Sequence, residues 1–250
     1  MLAKRLTRMT REWLADSPAA PILVPLYKRF SPRAEYDRQT HAVMDRVLTA
    51  RSCCVDIGAH RGNLLREMVR RAPQGAHHAF EPVPTYAARL RQRFEGVTVH
   101  EVALSDRAGV ARFVHVTGSP GLSGFKPNAR ATSDMNPVDI EVRAARLDDE
   151  LPADYRPDFV KIDVEGAEHL VLLGGRGALS RARPVIVFEC WITDERYEGF
   201  SPETVFDILA GVGLRVSLMR RWLEGEPAFS RDQFTSQLRN RLDAYYIAYP

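Results

Sequence analysis

Val55-Asp56-Ile57-Gly58-Ala59-His60-Arg61-Gly62 joins an apolar, β-branched run to a turn punctuated by two glycines, and the architecture of the chain can be worked out from this segment. The run Cys53-Cys54-Val55-Asp56-Ile57 is short and stops at Gly58, which predicts a strand buried on both faces. Asn63 to Arg71 reads as a helix closed by Pro73 and Gly75. Between strand and helix, glycine permits positive φ and close approach of backbone to a ligand. The helix start presents free N–H groups and the positive end of its dipole. Strand, glycine turn and helix in this order suit a nucleotide-like cofactor at the carboxyl ends of parallel strands.

Outward from this unit the alternation continues. His77 to Phe80 is a second strand ended by Glu81-Pro82, Thr85 to Phe94 a helix stopped at Gly96, and Val97 to Leu104 a third strand. The pattern predicts right-handed βαβ crossovers and a parallel sheet. It then changes. Ala111 to Val116 and Ile140-Val142-Ala144 read as strands, and Thr117 to Pro137 between them is rich in Gly, Ser, Pro and Asn without periodicity. A long irregular insertion of this kind, taken as residues 117–138, is expected to act as a lid, with Ser123, Lys126 and Asn128 as polar contacts. Alternation resumes with a strand at Phe159 to Val164, a helix at Ala167 to Leu179, a strand at Pro184 to Cys190, a helix at Pro202 to Leu209, and strands at Leu214 to Met219 and Ala244 to Ala248. Glu35 to Ala50 reads as a helix before the first strand.

Composition excludes several classes. At 250 residues, 45% hydrophobic and 27% charged, the chain is long enough for a full α/β core and too apolar for wholesale disorder. A net charge of +3 argues against nucleic acid as a partner. Three cysteines, Cys53, Cys54 and Cys190, have no metal-ligand spacing and read as reduced thiols of a cytoplasmic protein. No apolar run reaches the length of a membrane span. Residues 1–33 carry seven cations against Glu12 and Asp16. Leu2, Leu6, Met9 and Trp13 form one helical stripe, giving a basic amphipathic helix over residues 1–15 within an N-terminal extension, residues 1–50. Such a helix fits peripheral contact with a membrane surface or a partner, a terminal helix packed on its own domain or on a neighbouring subunit of a homo-oligomer, or an organelle presequence.

Four groups of residues could carry chemistry. In the glycine turn the spacing is Gly58-x-x-x-Gly62, with His60 where a dinucleotide fingerprint needs a middle glycine. Asp56 would repel a pyrophosphate but suit a cofactor carrying a sulfonium and an amino group. A nicotinamide-dependent reductase therefore stands as the weaker alternative. Glu81 follows the turn by roughly 20 residues, where an acid accepts both ribose hydroxyls of a nucleoside. Ala103-Leu104-Ser105-Asp106 is placed next along the same sheet edge, with adenine against Ala103 and its amine toward Asp106, or else Asp106 simply opens a turn. Lys161 to Glu168, KIDVEGAE, puts Lys161 and Asp163 on one face of a strand and follows them with Glu165 and Glu168. Helix capping accounts for Glu165 or Glu168 more readily than for Asp163. A divalent ion on Asp163, Glu165 and Glu168 is the alternative, and no metal is expected, because acids so close in sequence rarely converge on one ion. Glu189 ends the Pro184–Cys190 strand and so lines the same rim. Lysine and carboxylates along one edge suit removal of a hydroxyl proton.

Taken together and in this order, VDIGAHRG, FEP, ALSD, LDDE (Leu147 to Glu150), KIDVEGAE and VIVFE resemble the FkbM-type family of S-adenosylmethionine-dependent methyltransferases, over about Cys53 to Cys190. The resemblance implies a Rossmann-like α/β fold over residues 51–250: a mostly parallel seven-stranded sheet, helices on both faces and an antiparallel terminal strand. It implies S-adenosyl-L-methionine as cofactor, with Asp56, Gly58, Ala59, His60 and Gly62 around its methionine part, Glu81 on the ribose, and Ala103 and Asp106 near the adenine. Lys161, Asp163 and Glu165 would face the methyl-transfer zone, Asp163 or Glu165 acting as base. The acceptor implied is a hydroxyl of a sugar, a glycolipid or a natural product. A cofactor-binding partner subunit without chemistry of its own is the alternative.

Overall fold

In the computed structural model, residues 32–128, 130–191 and 197–250 are described. The chain divides into two units between Ala42 and Val43, and everything that builds the candidate site lies in the second. The basic helix expected over residues 1–15 falls outside the described residues. Helix α1 spans Pro32–Val47.

A seven-stranded sheet organises the second unit. Its strands are β1 (Cys54–Ile57), β2 (His77–Phe80), β3 (Val97–His100), β7 (Phe159–Ile162), β8 (Val185–Glu189), β9 (Arg215–Leu218) and β10 (Tyr245–Tyr249), in the order β3-β2-β1-β7-β8-β10-β9. All neighbours among the first five are parallel, and β10 runs antiparallel to both β8 and β9. This is a Rossmann-like sheet. Every residue of β1, β2 and β7 is buried, as parallel strands covered on both faces must be. Strand order reverses between β1 and β7, which opens a crevice at their carboxyl ends.

The crossovers are α2 (Asn63–Arg71) and α3 (Pro84–Arg93) on one side of the switch, and α5 (Glu168–Gly174) with α6 (Arg176–Ala182) on the other. Val55, Ile57, Val160, Ile162, Ile186 and Phe188 turn one face of the sheet into a core with Val171, Leu172 and Leu179 from α5 and α6. Leu209 of α7 (Pro202–Gly211) and Phe234 of α9 (Arg231–Arg239) close this core.

A second sheet of three strands has the order β4-β6-β5, with β4 at Ala103–Leu104, β5 at Gly109–Val116 and β6 at Pro137–Ala145. The run read as one strand, Val97 to Leu104, is therefore two. β3 stops at His100, Val102 turns into the main core, and Ala103–Leu104 pairs with Ala144–Ala145 of β6. The helix expected over Ala167 to Leu179 is also divided. It breaks at Gly174-Gly175, where Gly174 lies so close to β4 that a Cβ would sit 2.0 Å from the Ser105 carbonyl oxygen. The second half restarts on Asp148, whose carboxylate accepts the amides of Gly177 (2.9 Å) and Ala178 (2.7 Å). Asp148 belongs to α4 (Leu147–Glu150), so the LDDE segment is structural in three ways. Leu147 fills the core, Asp148 starts α6, and Glu150 anchors a polar chain.

That chain runs through two histidines, His78 buried and His100 partly buried. Glu150 accepts from Arg143 on both oxygens (2.6 and 2.8 Å) and from His100 Nδ1 (3.1 Å). A carboxylate can only accept, so His100 carries its proton on Nδ1, and its Nε2 accepts from His78 Nδ1 at 2.9 Å. Burial, with His100 and His77 nearby, holds His78 down to about 4 against an ordinary 6.5. Between those two values the unfolded chain binds a proton that the folded one refuses, so stability is lost as pH falls from 6.5 toward about 4. His78→Asn is expected to flatten the fall in Tm across this window relative to the wild-type protein. Parallel Tm–pH curves for the two proteins would refute the assignment.

Candidate active site

The crevice between β1 and β7 is lined by residues that strand register brings together. Asp56 on β1 is level with Lys161 on β7, and the two side chains share a face. Lys161 Nζ lies 3.3 Å from Asp56 Oδ1, both groups being buried. The same ammonium donates to the carbonyls of Gly58 (2.7 Å) and Ile57 (3.2 Å) and lies 3.8 Å from Asp163. Burial alone would lower the Lys161 pKa, but Asp56, Asp163 and Glu81 outweigh it and raise it. Lys161 is thus a charged pin between β7 and the glycine turn, its donors directed at the turn's own carbonyls.

Gly58, His60 and Gly62 all have positive φ, at 75°, 50° and 71°. The amides of Gly58 and Ala59 both donate to the Phe80 carbonyl at 3.0 Å, which folds the turn onto the end of β2. There Glu81 is buried, and each of its oxygens accepts one backbone amide, Oε2 from His60 (2.8 Å) and Oε1 from Val83 (3.0 Å). Burial pushes the Glu81 carboxyl up, against the pull of these amides. The His60 ring packs on Tyr86 of α3 at 4.6 Å.

On the far side of the crevice, Asp163 and Glu189 follow from the same register. Ile162 is level with Phe188, so the next residues of the two chains, Asp163 and Glu189, stand side by side. Asp163, Glu165 and Glu189 bring carboxylate oxygens within 4.8 Å of one another. Glu168 does not join them. Its Oε1 accepts the amides of Val164 (2.8 Å) and Gly166 (3.4 Å), so it braces the turn before α5. Glu165 sits in that turn with φ 57°, and its Oε2 accepts from Asn128 Nδ2 (2.9 Å) and Arg130 (3.0 Å).

Asn128 and Arg130 come from the insertion, which is ordered against the β5–β6 hairpin. Gly118 donates to Met135, Val114 and Gly124 form a bridge, and Ser123 Oγ accepts the Val116 amide at 3.0 Å. Of the polar contacts expected there, Asn128 meets the acid group, Ser123 is engaged within the hairpin, and Lys126 lies over the Tyr197 ring.

The third sequence group is placed differently from its expectation. Ala103 is not at the end of the main sheet's third strand. It lies in β4, buried in a cluster with Val83, Tyr86, Phe113 and Val142. Asp106 just beyond it is partly exposed and accepts from Ser105 Oγ at 3.1 Å.

The family model described as the methyltransferase FkbM domain matches residues 56–216, a span that begins at Asp56 and takes in the glycine turn, Glu81 and the whole acid cluster. This chain belongs to the FkbM methyltransferase family. It is accordingly an S-adenosylmethionine-dependent methyltransferase, which sets aside the nicotinamide alternative. The FkbM-family chain is 28% identical over 190 residues to 2-O-methyltransferase NoeI of Sinorhizobium fredii, covering 69% of this chain and 76% of NoeI. It is 30% identical over 150 residues to 31-O-demethyl-FK506 methyltransferase FkbM of Streptomyces tacrolimicus, covering 48% of this chain and 57% of that protein. The solved structure of methyltransferase FkbM from Methylobacillus flagellatus superposes with a TM-score of 0.49 at 16% identity, covering 81% of this chain and 44% of that one.

Two contributors to the FkbM-family site had no sequence signal strong enough to single them out. Arg130 lies in an aperiodic segment, where nothing in the local pattern reports its distant partner Glu165. Trp191 directly follows the VIVFEC strand, and its indole N–H donates to Glu189 Oε1. Tyr86 was legible in principle, because it sits in the first turn of α3, on the buried face of the helix that starts beside Glu81.

Proposed function

We propose that this chain methylates a hydroxyl group of a sugar, glycolipid or natural-product acceptor. The observation carrying this reading is the cluster of Asp163, Glu165 and Glu189 across the crevice from a glycine turn anchored on Glu81. Both relatives named above are described as acting on oxygen, at a 2-O position and at a 31-O position. The residues around the turn fit S-adenosylmethionine. Each Glu81 oxygen has one amide donor and a lone pair left for a ribose hydroxyl, and the buried Asp56 supplies negative charge next to the turn. When bound, that cofactor supplies an electrophilic methyl group on a sulfonium.

The chain's own residues do the rest. Asp56, Gly58, Ala59, His60 and Gly62 would hold the donor's amino-acid end and Glu81 its ribose, with Asp106 on the side nearest the base and Ala103 behind it in the apolar cluster on Tyr86. Lys161 fixes the turn against β7. Asp163 takes the acceptor's hydroxyl proton, since among the described residues its cation contact is the 3.8 Å approach of Lys161 alone, whereas one Glu165 oxygen is engaged by Asn128 and Arg130. Alignment of acceptor and donor by these groups supplies much of the rate.

Calorimetric titration of S-adenosylhomocysteine tests the donor half. Glu81→Ala is expected to weaken binding at least tenfold, on the order of 1–3 kcal/mol for a lost buried charged hydrogen-bond pair. Wild-type affinity in that variant would remove Glu81 from the site. Mass spectrometry of glycans and glycolipids from cells carrying the wild-type or the Asp163→Asn protein identifies the acceptor by a methyl difference.

A further inference from the structure

The three acids of the rim are not equivalent, and Glu189 has no part in the reading above. Asp163 has Lys161 at 3.8 Å and Glu165 has Arg130 at 3.0 Å, whereas among the described residues no cation lies within ion-pairing distance of Glu189. Glu189 is also the most enclosed of the three, at 6% exposure. The groups facing it are Asp163 and, behind it, Lys161 from β7, Glu165 from the following turn with Arg130 of the insertion upon it, Tyr245 as cross-strand partner on β10, and the Trp191 indole. The indole N–H occupies Oε1 as a donor, so a proton on Glu189 belongs on Oε2.

We propose that Glu189 is the neutral hydrogen-bond donor of the acceptor subsite, opposite Asp163 as base, and that the site therefore takes an acceptor with two neighbouring oxygens. The hydroxyl to be methylated sits against Asp163, and the adjacent oxygen accepts from Glu189. This rests on the methyl-transfer reading and narrows its substrate class to vicinal diols and hydroxyls beside an ether or carbonyl oxygen. Asp163 gains the hydroxyl proton as the new O–C bond forms and the C–S bond of the sulfonium breaks, leaving a neutral thioether. Glu189 keeps its proton throughout. Burial, the charges of Asp163 and Glu165 and the hydrogen bond shared with Asp163 push the Glu189 carboxyl up to about 9, in keeping with a protonated group at neutral pH whose donated hydrogen bond the acceptor's second oxygen takes over from Asp163 on binding.

Two measurements test this. Difference infrared spectroscopy of the full chain should show a carboxylic-acid carbonyl band at pH 7 that disappears as pH passes about 9 and is absent in Glu189→Gln. No such band at pH 7, or its persistence in Glu189→Gln, would overturn the proposal without touching donor binding. In turnover of the acceptor found by mass difference, Glu189→Gln retains a non-titrating donor. It should keep kcat/KM within about threefold of wild type and lose the alkaline limb, while Glu189→Ala falls at least tenfold. A fall of Glu189→Gln to the level of Asp163→Asn would assign Glu189 as a base instead. Failure of the wild-type protein to bind S-adenosylhomocysteine would sink the methyl-transfer reading, and this proposal with it.

Discussion

Gly58→Ala is expected to destabilise the protein by more than about 3 kcal/mol and to abolish S-adenosylhomocysteine binding. Two terms add. At φ 75° any side chain incurs the left-handed penalty, about 1–2 kcal/mol. The new Cβ would also stand 2.0 Å from the Asp163 carbonyl oxygen and 3.0 Å from its carbonyl carbon. Neither atom can swing aside, because the Asp163 amide is bonded to the Ile57 carbonyl at 3.2 Å and holds β7 against the turn. Gly96→Ala is the control, with φ 83° but nothing within 4 Å of its Cβ. It should show the backbone penalty alone. Equal losses for the two variants in urea unfolding would mean that the contact with Asp163 has no energetic weight.

Lys161→Met should destabilise the fold by about 3–5 kcal/mol, since removing one partner leaves a buried charge uncompensated. Asp56 is 1% exposed, and Lys161 is the cation beside it. In the variant Asp56 will take up a proton, because burial already pushes its carboxyl up and Lys161 is the main opposing influence. The folded variant then binds a proton that the unfolded chain, with its ordinary Asp value of 3.8, does not hold at neutral pH. Its deficit should therefore shrink as pH is lowered from neutrality toward that value. Asp56→Asn combined with Lys161→Met should recover much of the loss. A single-variant loss below about 1 kcal/mol, or no recovery in the pair, would show that the ion pair is not what holds β7 to the turn.

The parts of this molecule that were legible in its sequence are those written in short-range pattern. β1, β7 and β8 are mainly apolar runs that stop at Gly58, Asp163 and Cys190, the short β2 stops at Glu81, and the stops lie at the carboxyl edge where the acids collect. Alternation put Lys161 and Asp163 on one face. What could not be read is whatever depends on pairing between distant segments. The β3–β4 break between His100 and Ala103 lies inside a β-branched stretch, Val97 to Leu104, without glycine or proline, and only pairing with Ala144–Ala145 reveals it. Gly174-Gly175 could have been taken as a helix break, but the reason for it is the Ser105 carbonyl, remote in sequence. The nearness of Glu189 to Asp163 needs the β7–β8 register, and the hold of Asn128 and Arg130 on Glu165 needs the path of an aperiodic loop. Helix α9 went unread although its signal is local. Ser230 and Gln233 form a reciprocal cap, and Phe234 and Leu238 follow at helical spacing.

The hairpin that carries residues 117–136 is bonded through β6 to β4, outside the seven-strand ladder. Lengthening or trimming its tip leaves every rung of the main sheet in place, and the entropic cost of a loop twice as long is only about 0.6 kcal/mol. Tolerance to insertion is thus concentrated at a surface segment whose side chains reach Glu165, so the chain beside the acid edge can be retailored while the sheet beneath it stays constant.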